Sequence, residues 1–280
     1  MKSPAEIAAE QQAYWNGRGG QTWLASYDRI QRSIAGFSNA ALAAAKAQPG
    51  EKVLDVGCGT GSTTAELAKE VGPEGRVLGV DLSEALVGAA RLHKLDNLKF
   101  EVGDVTTFPF ETAAFDLVFS RFGVMFFGDP VAAFRNLRRA LRPNGRLVFL
   151  CWRTVMENPW VHVPLRAAEP HLPPAERPGP EEPGPFAFGD RARVERILRE
   201  AGFGKPTFRT LDQQSPMGPS VAEAVENMGK MGPLARRFAD ATPEQIASAR
   251  AAIAEALKPH AGPDGVRLGG ACWLVSAAQH

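Results

Sequence analysis

Cysteine is scarce in this chain: Cys58, Cys151 and Cys272 are the only three, far apart and without a C-x-x-C spacing. So odd and sparse a set excludes a disulfide framework and a cysteine-built metal centre, and it points to a reducing compartment. Charge imbalance is missing as well. With 32 Lys and Arg against 31 Asp and Glu the formal net charge is +1, so no long-range field gathers polyanions. The nearest approach to a nucleic-acid footprint is Arg135, Arg138, Arg139, Arg142 and Arg146. These fall late in an expected helix and its following turn, where cations complement the helix dipole. No window approaches the ~18 uninterrupted apolar residues of a membrane span, and the opening MKSPAEIAAEQQAYW has no apolar stretch of the secretory kind. The expectation is a soluble, cytoplasmic protein without a metal, a nucleic-acid partner or a membrane span.

What the sequence does contain, from residue 52 onward, is a regular alternation of strand and helix. Lys52–Val56 (KVLDV) reads as a buried strand, followed by a glycine loop and a helix over Ser62–Val71 that Gly72-Pro73 stops. Strands follow at 76–80, Leu98–Val102, 115–120 and 146–152, with helices over 83–94 and from Asp129-Pro130 to about 141. Asp129 supplies an N-cap and Pro130 the preferred first helical residue. Such alternation predicts an α/β fold, a doubly wound and mostly parallel sheet with helices on both faces. Residues 1–46 are expected to form a helical N-terminal arm holding both tyrosines of the chain, Tyr14 and Tyr27, with Trp15 and Trp23. The core is expected over 47–213, with a loop at 170–189 where Pro170, Pro173, Pro174, Pro178, Pro180, Pro183 and Pro185 forbid a helix or central strand. A helix after Asp190, a strand at 205–211, a helical cap insertion over 214–268 (helices near 220–228 and Pro243–Leu257) and a final strand at 271–277, within a closing segment 269–280, complete seven strands.

Open α/β sheets bind ligands beyond the carboxyl ends of their strands. Asp55 lies at the exit of the first strand, Asp81 ends the second and Asp104 follows the third, and between them runs Gly57-Cys58-Gly59-Thr60-Gly61. Glycines let the loop turn tightly and bring backbone amides to a ligand at the next helix N-terminus. A dinucleotide fingerprint would place Gly or Ala at position 62, where Ser62 stands, and the loop carries no cation to offset Asp55. Two unit charges ~4 Å apart interact by about 4 kcal/mol at an effective dielectric near 20, enough to disfavour a pyrophosphate beside that acid. S-adenosylmethionine, with an ammonium, a sulfonium and one carboxylate, suits the loop better. Asp81 is then placed to accept from the ribose hydroxyls and Asp104 from the adenine amine. Cys58 reads as a compact loop residue.

At these residues the chain resembles the class I S-adenosylmethionine-dependent methyltransferases. V-L-D-V-G-C-G-T-G at 53–61, V-L-G-V-D-L-S at 77–83, V-G-D-V at 102–105, F-D-L-V-F-S-R-F at 115–122 and L-R-P-N-G-R-L-V-F at 141–149 are similar to that family's successive motifs. The closest flavour is the small-molecule subgroup that includes the ubiquinone and menaquinone C-methyltransferases. The resemblance implies the class I fold, S-adenosyl-L-methionine as cofactor with S-adenosyl-L-homocysteine as product, and cofactor contacts at Asp55, Gly57, Gly59, Thr60, Asp81, Asp104, Val105 and Ser120. Leu82, Gly103, Arg121 and, from the arm, Tyr14 extend that set.

Methyl transfer to a small, largely apolar or aromatic metabolite, at oxygen or carbon, is the expected activity. Phe122, Phe126 and Trp160 are candidates to line the acceptor pocket with His162, and Phe127 and Trp152 belong to the same aromatic group. A general base is needed only where the acceptor loses a proton as it reacts; His162 and Glu157 lie within reach, and no catalytic residue is assigned. Two other readings stay open: a methyltransferase for RNA or protein, disfavoured by the charge balance, and a non-catalytic protein that binds adenosylmethionine or a nucleotide. The arm and the insertion are expected to act together as a lid over the acceptor, with the arm packed on outer helices as the competing arrangement.

Overall fold

The computed structural model describes residues 3–174, 179, 181–230 and 232–279. Its centre is one sheet built from β1 (Lys52–Val56), β2 (Arg76–Asp81), β3 (Leu98–Val102), β4 (Phe115–Arg121), β5 (Leu141–Trp152), β6 (Thr207–Gly218) and β7 (Gly265–Ala278), in the spatial order 3-2-1-4-5-7-6. Only β7 runs antiparallel to its neighbours, and the two-residue strand Ala261–Gly262 pairs with its start. The chain reverses its direction of travel across the sheet between β1 and β4, which opens a crevice at their carboxyl ends. Val53, Leu54 and Val56 of β1 and Leu117 and Phe119 of β4 are fully buried, as strands covered on both faces must be.

The helices are α1 (Pro4–Asn16), α2 (Arg18–Ala25), α3 (Tyr27–Ala45), α4 (Ser62–Val71), α5 (Glu84–Ala90), α6 (Pro130–Ala140), α7 (Pro159–Ala168), α8 (Arg191–Glu200), α9 (Val221–Gly229), α10 (Gly232–Phe238) and α11 (Pro243–Leu257). Side chains of Ser, Thr or Asp cap the starts of α1, α5, α6, α8, α9 and α11. Asp129 Oδ1 accepts the Ala132 N–H at 2.9 Å and Pro130 takes the first position of α6. The first three helices span residues 4–45, the stretch expected as an arm, and all but two residues of that stretch lie in helix. Of these α3 is the best buried, setting Ile30, Ile34, Phe37, Ala41 and Leu42 onto the sheet.

Several boundaries differ from the sequence expectation. The helix expected over 83–94 ends at Ala90, because residues 91–93 turn toward β3. The R-P-N-G turn lies inside β5 as a register break, with Asn144 at φ 64°: Leu141 pairs with Phe115, and pairing resumes at Arg146. β6 and β7 are longer than the strands expected at 205–211 and 271–277, so the insertion leaves the sheet at Gly218 and returns at Gly265. Gln213, Gln214 and Ser215 hid this extension by their polarity; they pair with Gly270, Gly269 and Leu268. Gly270 leaves room for Phe37, whose ring would lie 2.9 Å from any Cβ there. A helix that the sequence did not announce, α10, lies between the two that it did. Pro178 and Pro180 of the Pro-rich segment lie outside the described residues; its start is a short 3-10 turn at Glu169–His171.

Three apolar clusters result among the described residues. The largest surrounds the sheet, a second joins Ala224, Val225, Leu234, Phe238, Ala249, Ile253 and Leu257 with Val266 and Leu268 of β7, and a small third gathers Cys58, Val87, Ala90 and Phe100. Trp160 packs against the first two. Its position is set by Asn158, a fully buried amide at the junction of β5, β7 and α7. Asn158 Oδ1 accepts the Ala271 N–H at 2.8 Å and the Trp160 indole N–H at 3.1 Å, while Nδ2 donates toward the carbonyls of Thr154, Arg153 and Ala271 at 2.9, 3.2 and 3.2 Å. Removing one side of a buried hydrogen-bonded group leaves its partners unsatisfied, at about 1–3 kcal/mol each. Asn158→Ala is therefore expected to destabilise the protein by about 2–4 kcal/mol in urea unfolding. A loss below about 0.5 kcal/mol, the usual range of surface substitutions, would contradict this role.

Candidate functional site

Two carboxylates define the crevice. Asp81 closes β2 and binds the facing glycine loop: Oδ2 accepts the Gly59 N–H at 2.8 Å and Oδ1 accepts the Ser83 N–H at 2.9 Å. Each oxygen keeps capacity for a further donor. Asp55, near the end of β1, is completely buried. Its Oδ2 accepts from the Thr63 and Thr64 hydroxyls at 3.0 and 2.7 Å, whereas Oδ1 is buried with no partner. Burial raises both pKa values. That of Asp55 reaches about 6 in spite of the threonine hydrogen bonds and the nearby positive charge of Arg121, with Asp81 adding repulsion. For Asp81 burial outweighs the backbone N–H groups of Ser83, Gly59 and Leu82.

The loop between these acids has three glycines with positive φ, at 57, 59 and 61, but they are not equivalent. A Cβ on Gly57 would meet the Gly123 backbone at 2.7 Å and one on Gly61 the Phe100 ring at 2.6 Å, so packing requires both. Nothing lies within 4 Å of a Cβ built on Gly59. That position is open, and its N–H belongs to Asp81. Cys58 is buried beneath the loop, and burial pushes its thiol well above the ordinary range. Thr60 is buried, its carbonyl 3.1 Å from His93 Nε2.

The other expected contacts have definite places. Gly103 N–H donates to the Asp81 carbonyl at 2.9 Å, so β3 brings Asp104 beside the second strand. Asp104 Oδ1 accepts the Thr106 N–H at 2.8 Å, and the Val105 side chain is buried in the main core. Ser120 is fully buried, and its hydroxyl donates to the Val56 carbonyl at 2.6 Å, holding β4 to β1. Arg121 is half-buried and reaches toward the arm, donating to Gln31 Oε1, Ser38 Oγ and Ser62 Oγ. Tyr14 is 42% exposed; its ring covers Gly19 and meets Trp15 edge-on, so its described contacts are within the arm.

The arm lies against the strand ends. Asn16 holds the segment after Asp81 at two points, its Nδ2 donating to the Leu82 carbonyl at 3.0 Å and its Oδ1 accepting the Glu84 N–H at 2.9 Å. Ser83 Oγ donates to the Trp15 carbonyl at 2.8 Å, and the Trp15 ring sits 5.1 Å from that of Phe126. Sequence reasoning missed Asn16 and Gln31. Only the neighbouring density of Trp and Tyr marked the segment, since a lone amide on a helix looks like any solvated position.

The aromatic candidates form a connected wall beyond β4 and β5. Phe122, at φ 62°, stacks on Trp152 with centroids 4.4 Å apart, Phe37 meets Trp152 at 5.2 Å, and Trp160 follows at 5.0 Å. A bulky residue in that left-handed region costs of order 1–3 kcal/mol, a strain that packing on both sides sustains. Phe127 turns instead into the core, against Phe134. His162 lies on α7, its backbone N–H bonded to the Asn158 carbonyl. Glu157 is not a free base. Burial would raise its pKa, yet hydrogen bonds from Thr154 and Arg153 prevail and hold it below the usual carboxylate value.

Residues 47–172 match the family described as methyltransferase domain. Among curated proteins the chain is similar to the demethylmenaquinone methyltransferase of Staphylococcus aureus, 42% identical over 103 residues, which is 36% of this chain and 43% of that protein. The chain spans less than half the length of the first curated relatives it matches. The fold is similar to that of Haemonchus contortus phosphoethanolamine N-methyltransferase 2 in complex with S-adenosyl-L-methionine, with a TM-score of 0.59 and 18% identity over 100% of this chain and 61% of that one. It is also similar to geranyl diphosphate C-methyltransferase from Streptomyces coelicolor, with a TM-score of 0.51 and 16% identity over 88% and 79% of the two chains.

The raised pKa of Asp55 has a stability consequence. A folded-state pKa above the unfolded value means that the native state holds the proton more tightly, so stability present at low pH is lost as pH rises through the window from 3.8 to about 6. The loss is at most about 3 kcal/mol. Relative to the parent, Asp55→Asn is therefore expected to gain stability as pH rises across that window, and the difference should level off above it. A stability difference independent of pH would contradict the buried, partner-poor carboxylate.

Proposed function

We propose that this chain, whose α/β core is a class I S-adenosylmethionine-dependent methyltransferase domain, transfers a methyl group from that cofactor to a small, largely apolar or aromatic acceptor at oxygen or carbon. The observation that carries the reading is the pair of acids around an open glycine. Asp81 fixes Gly59 and keeps hydrogen-bond capacity on both oxygens, while Asp55 holds a buried oxygen with no donor. This donor set fits a cationic adenosyl ligand. Asp81 would hold the ribose hydroxyls, Asp55 would face the ammonium, and the uncovered backbone at Gly59 would allow close approach. It fits a dinucleotide poorly, because buried Asp55 and half-buried Asp81 repel a pyrophosphate.

When bound, the cofactor supplies a methyl carbon already activated by its sulfonium. The protein's own contribution is then chiefly positional, and effective molarities of roughly 10⁵–10⁸ M are available from orientation alone. Trp160, partly exposed at the edge of the buried Phe122–Trp152 stack, would offer apolar surface to an acceptor, and Asn158 fixes its indole. The similarity to a demethylmenaquinone methyltransferase supports this choice of a small-molecule acceptor. The arm and the α9–α11 insertion serve as a lid. Asn16, Ser83 and Trp15 join the arm to the segment just past Asp81, where closure excludes water from the reacting groups.

Calorimetry with S-adenosylhomocysteine and with NAD tests this reading. The parent is expected to bind the first and not the second. Asp81→Ala should weaken that binding by about 1.5–3 kcal/mol, the scale of hydrogen bonds to a charged partner, with cooperative unfolding retained. NAD binding without an S-adenosylhomocysteine signal would overturn the assignment. Binding without turnover across a broad screen of acceptors would favour the non-catalytic reading.

A further inference from the structure

The residue that follows β4 holds a backbone conformation that its own side chain resists. Phe122 has φ 62°, a left-handed value that favours glycine and that a bulky residue adopts only where its surroundings impose it. Those surroundings are identifiable. The Phe122 N–H donates to the Leu150 carbonyl at 3.0 Å, which keeps the residue in register with β5. Its buried ring stacks on Trp152 with 11° between the planes and meets Phe37 of α3 edge-on at 6.4 Å. The Trp152 N–H points at Met125 Sδ, 3.3 Å away, so the turn after Phe122 is tied back to β5.

What the left-handed turn achieves lies one residue further on, where it carries Gly123 under the glycine loop. A Cβ on Gly123 would lie 2.9 Å from the Gly57 Cα and 2.7 Å from the Val56 carbonyl oxygen, and one on Gly57 would lie 2.7 Å from the Gly123 Cα. The two backbones therefore touch directly, with no side chain between them. Gly57 is itself left-handed, at φ 64°, and its N–H donates to the Val80 carbonyl at 2.8 Å. The residue that leans on Gly123 is thus the one that starts the loop between Asp55 and Asp81. A strained residue, held by two aromatic rings outside that loop, sets the seat on which the loop rests.

We propose that Phe122 is a positioning residue for the cofactor: the aromatic stack holds its backbone left-handed, and that conformation props Gly123 against Gly57 so that the loop presents Gly59 to the ligand. The role rests on the cofactor reading above, and it adds a dependence of cofactor affinity on packing outside the loop. The aromatic wall and the glycine loop are then one mechanical unit, joined at Gly123 and Gly57.

Backbone tolerance and side-chain volume rank substitutions at position 122 in opposite orders, which separates positioning from packing. Gly and Asn enter the left-handed region readily and Leu does not, whereas Leu best replaces the lost volume. In calorimetry with S-adenosylhomocysteine on the full chain, Phe122→Gly and Phe122→Asn should bind about as tightly as the parent, although both melt at lower temperature. Phe122→Leu should melt nearest to the parent and yet bind roughly 5–100-fold more weakly, the factor that corresponds to strain no longer sustained. A second pair leaves Phe122 in place. Trp152→Phe keeps a ring to stack on and should retain affinity, Trp152→Leu removes the stack and should weaken it, and adding Phe122→Gly to Trp152→Leu should restore it. This pair decides the matter where a variant at 122 does not melt cooperatively. Affinity that follows volume at 122, or equal affinity of the two Trp152 variants, would overturn the positioning role and leave the cofactor reading standing. A parent that binds no S-adenosylhomocysteine would overturn both.

Discussion

The Asp81 carboxylate is the constraint on which the rest of the site depends. It sits where β2 leaves the sheet, and by accepting the N–H groups of Gly59 and Ser83 it fixes two loops from different βα units relative to each other. The left-handed glycines permit the geometry, but the acid holds it. Because desolvation disfavours the ionisation of buried Asp55 and of half-buried Asp81, a positively charged ligand would relieve both, and the anionic ones that glycine loops of this shape often hold would not.

The arm extends the same logic outward. Asn16 and Trp15 seize the backbone just beyond Asp81, and Gln31 and Ser38 reach Arg121 at the end of β4. A segment outside the sheet thereby touches the site at two corners, one near each acid. The second apolar cluster, under α7 and α9–α11, meets the first at Trp160, so the aromatic wall lies where the two packed bodies join. Junctions of this kind are common places for small-molecule sites.

Much of this was legible in the sequence. The parallel core follows from continuous apolar strands, the Asp129-Pro130 helix start and the acids at consecutive strand ends, all of them local signals. The length of β6 and β7 was not legible, because Gln213 to Ser215 are polar and the first two of them pair with glycines across the ladder. Nor was the work of Ser120, whose hydroxyl holds a neighbouring strand, or of Glu157, which a helix cap and Arg153 engage. Asn16 and Gln31 meet partners 66 and 90 residues away, and no pattern in their own helices distinguishes them. Periodicity reveals which face of an element is buried; it does not reveal which polar residue on that face will meet a particular partner.

The central claim is that the two strand-end acids read opposite ends of one adenosyl amino acid. A crystal structure of the complex with S-adenosylhomocysteine tests it most directly. The account predicts both ribose hydroxyls within hydrogen-bond distance of Asp81 and the ammonium beside Asp55 Oδ1. A ligand whose ribose lies away from Asp81, or whose amino acid end points to solvent, would contradict it.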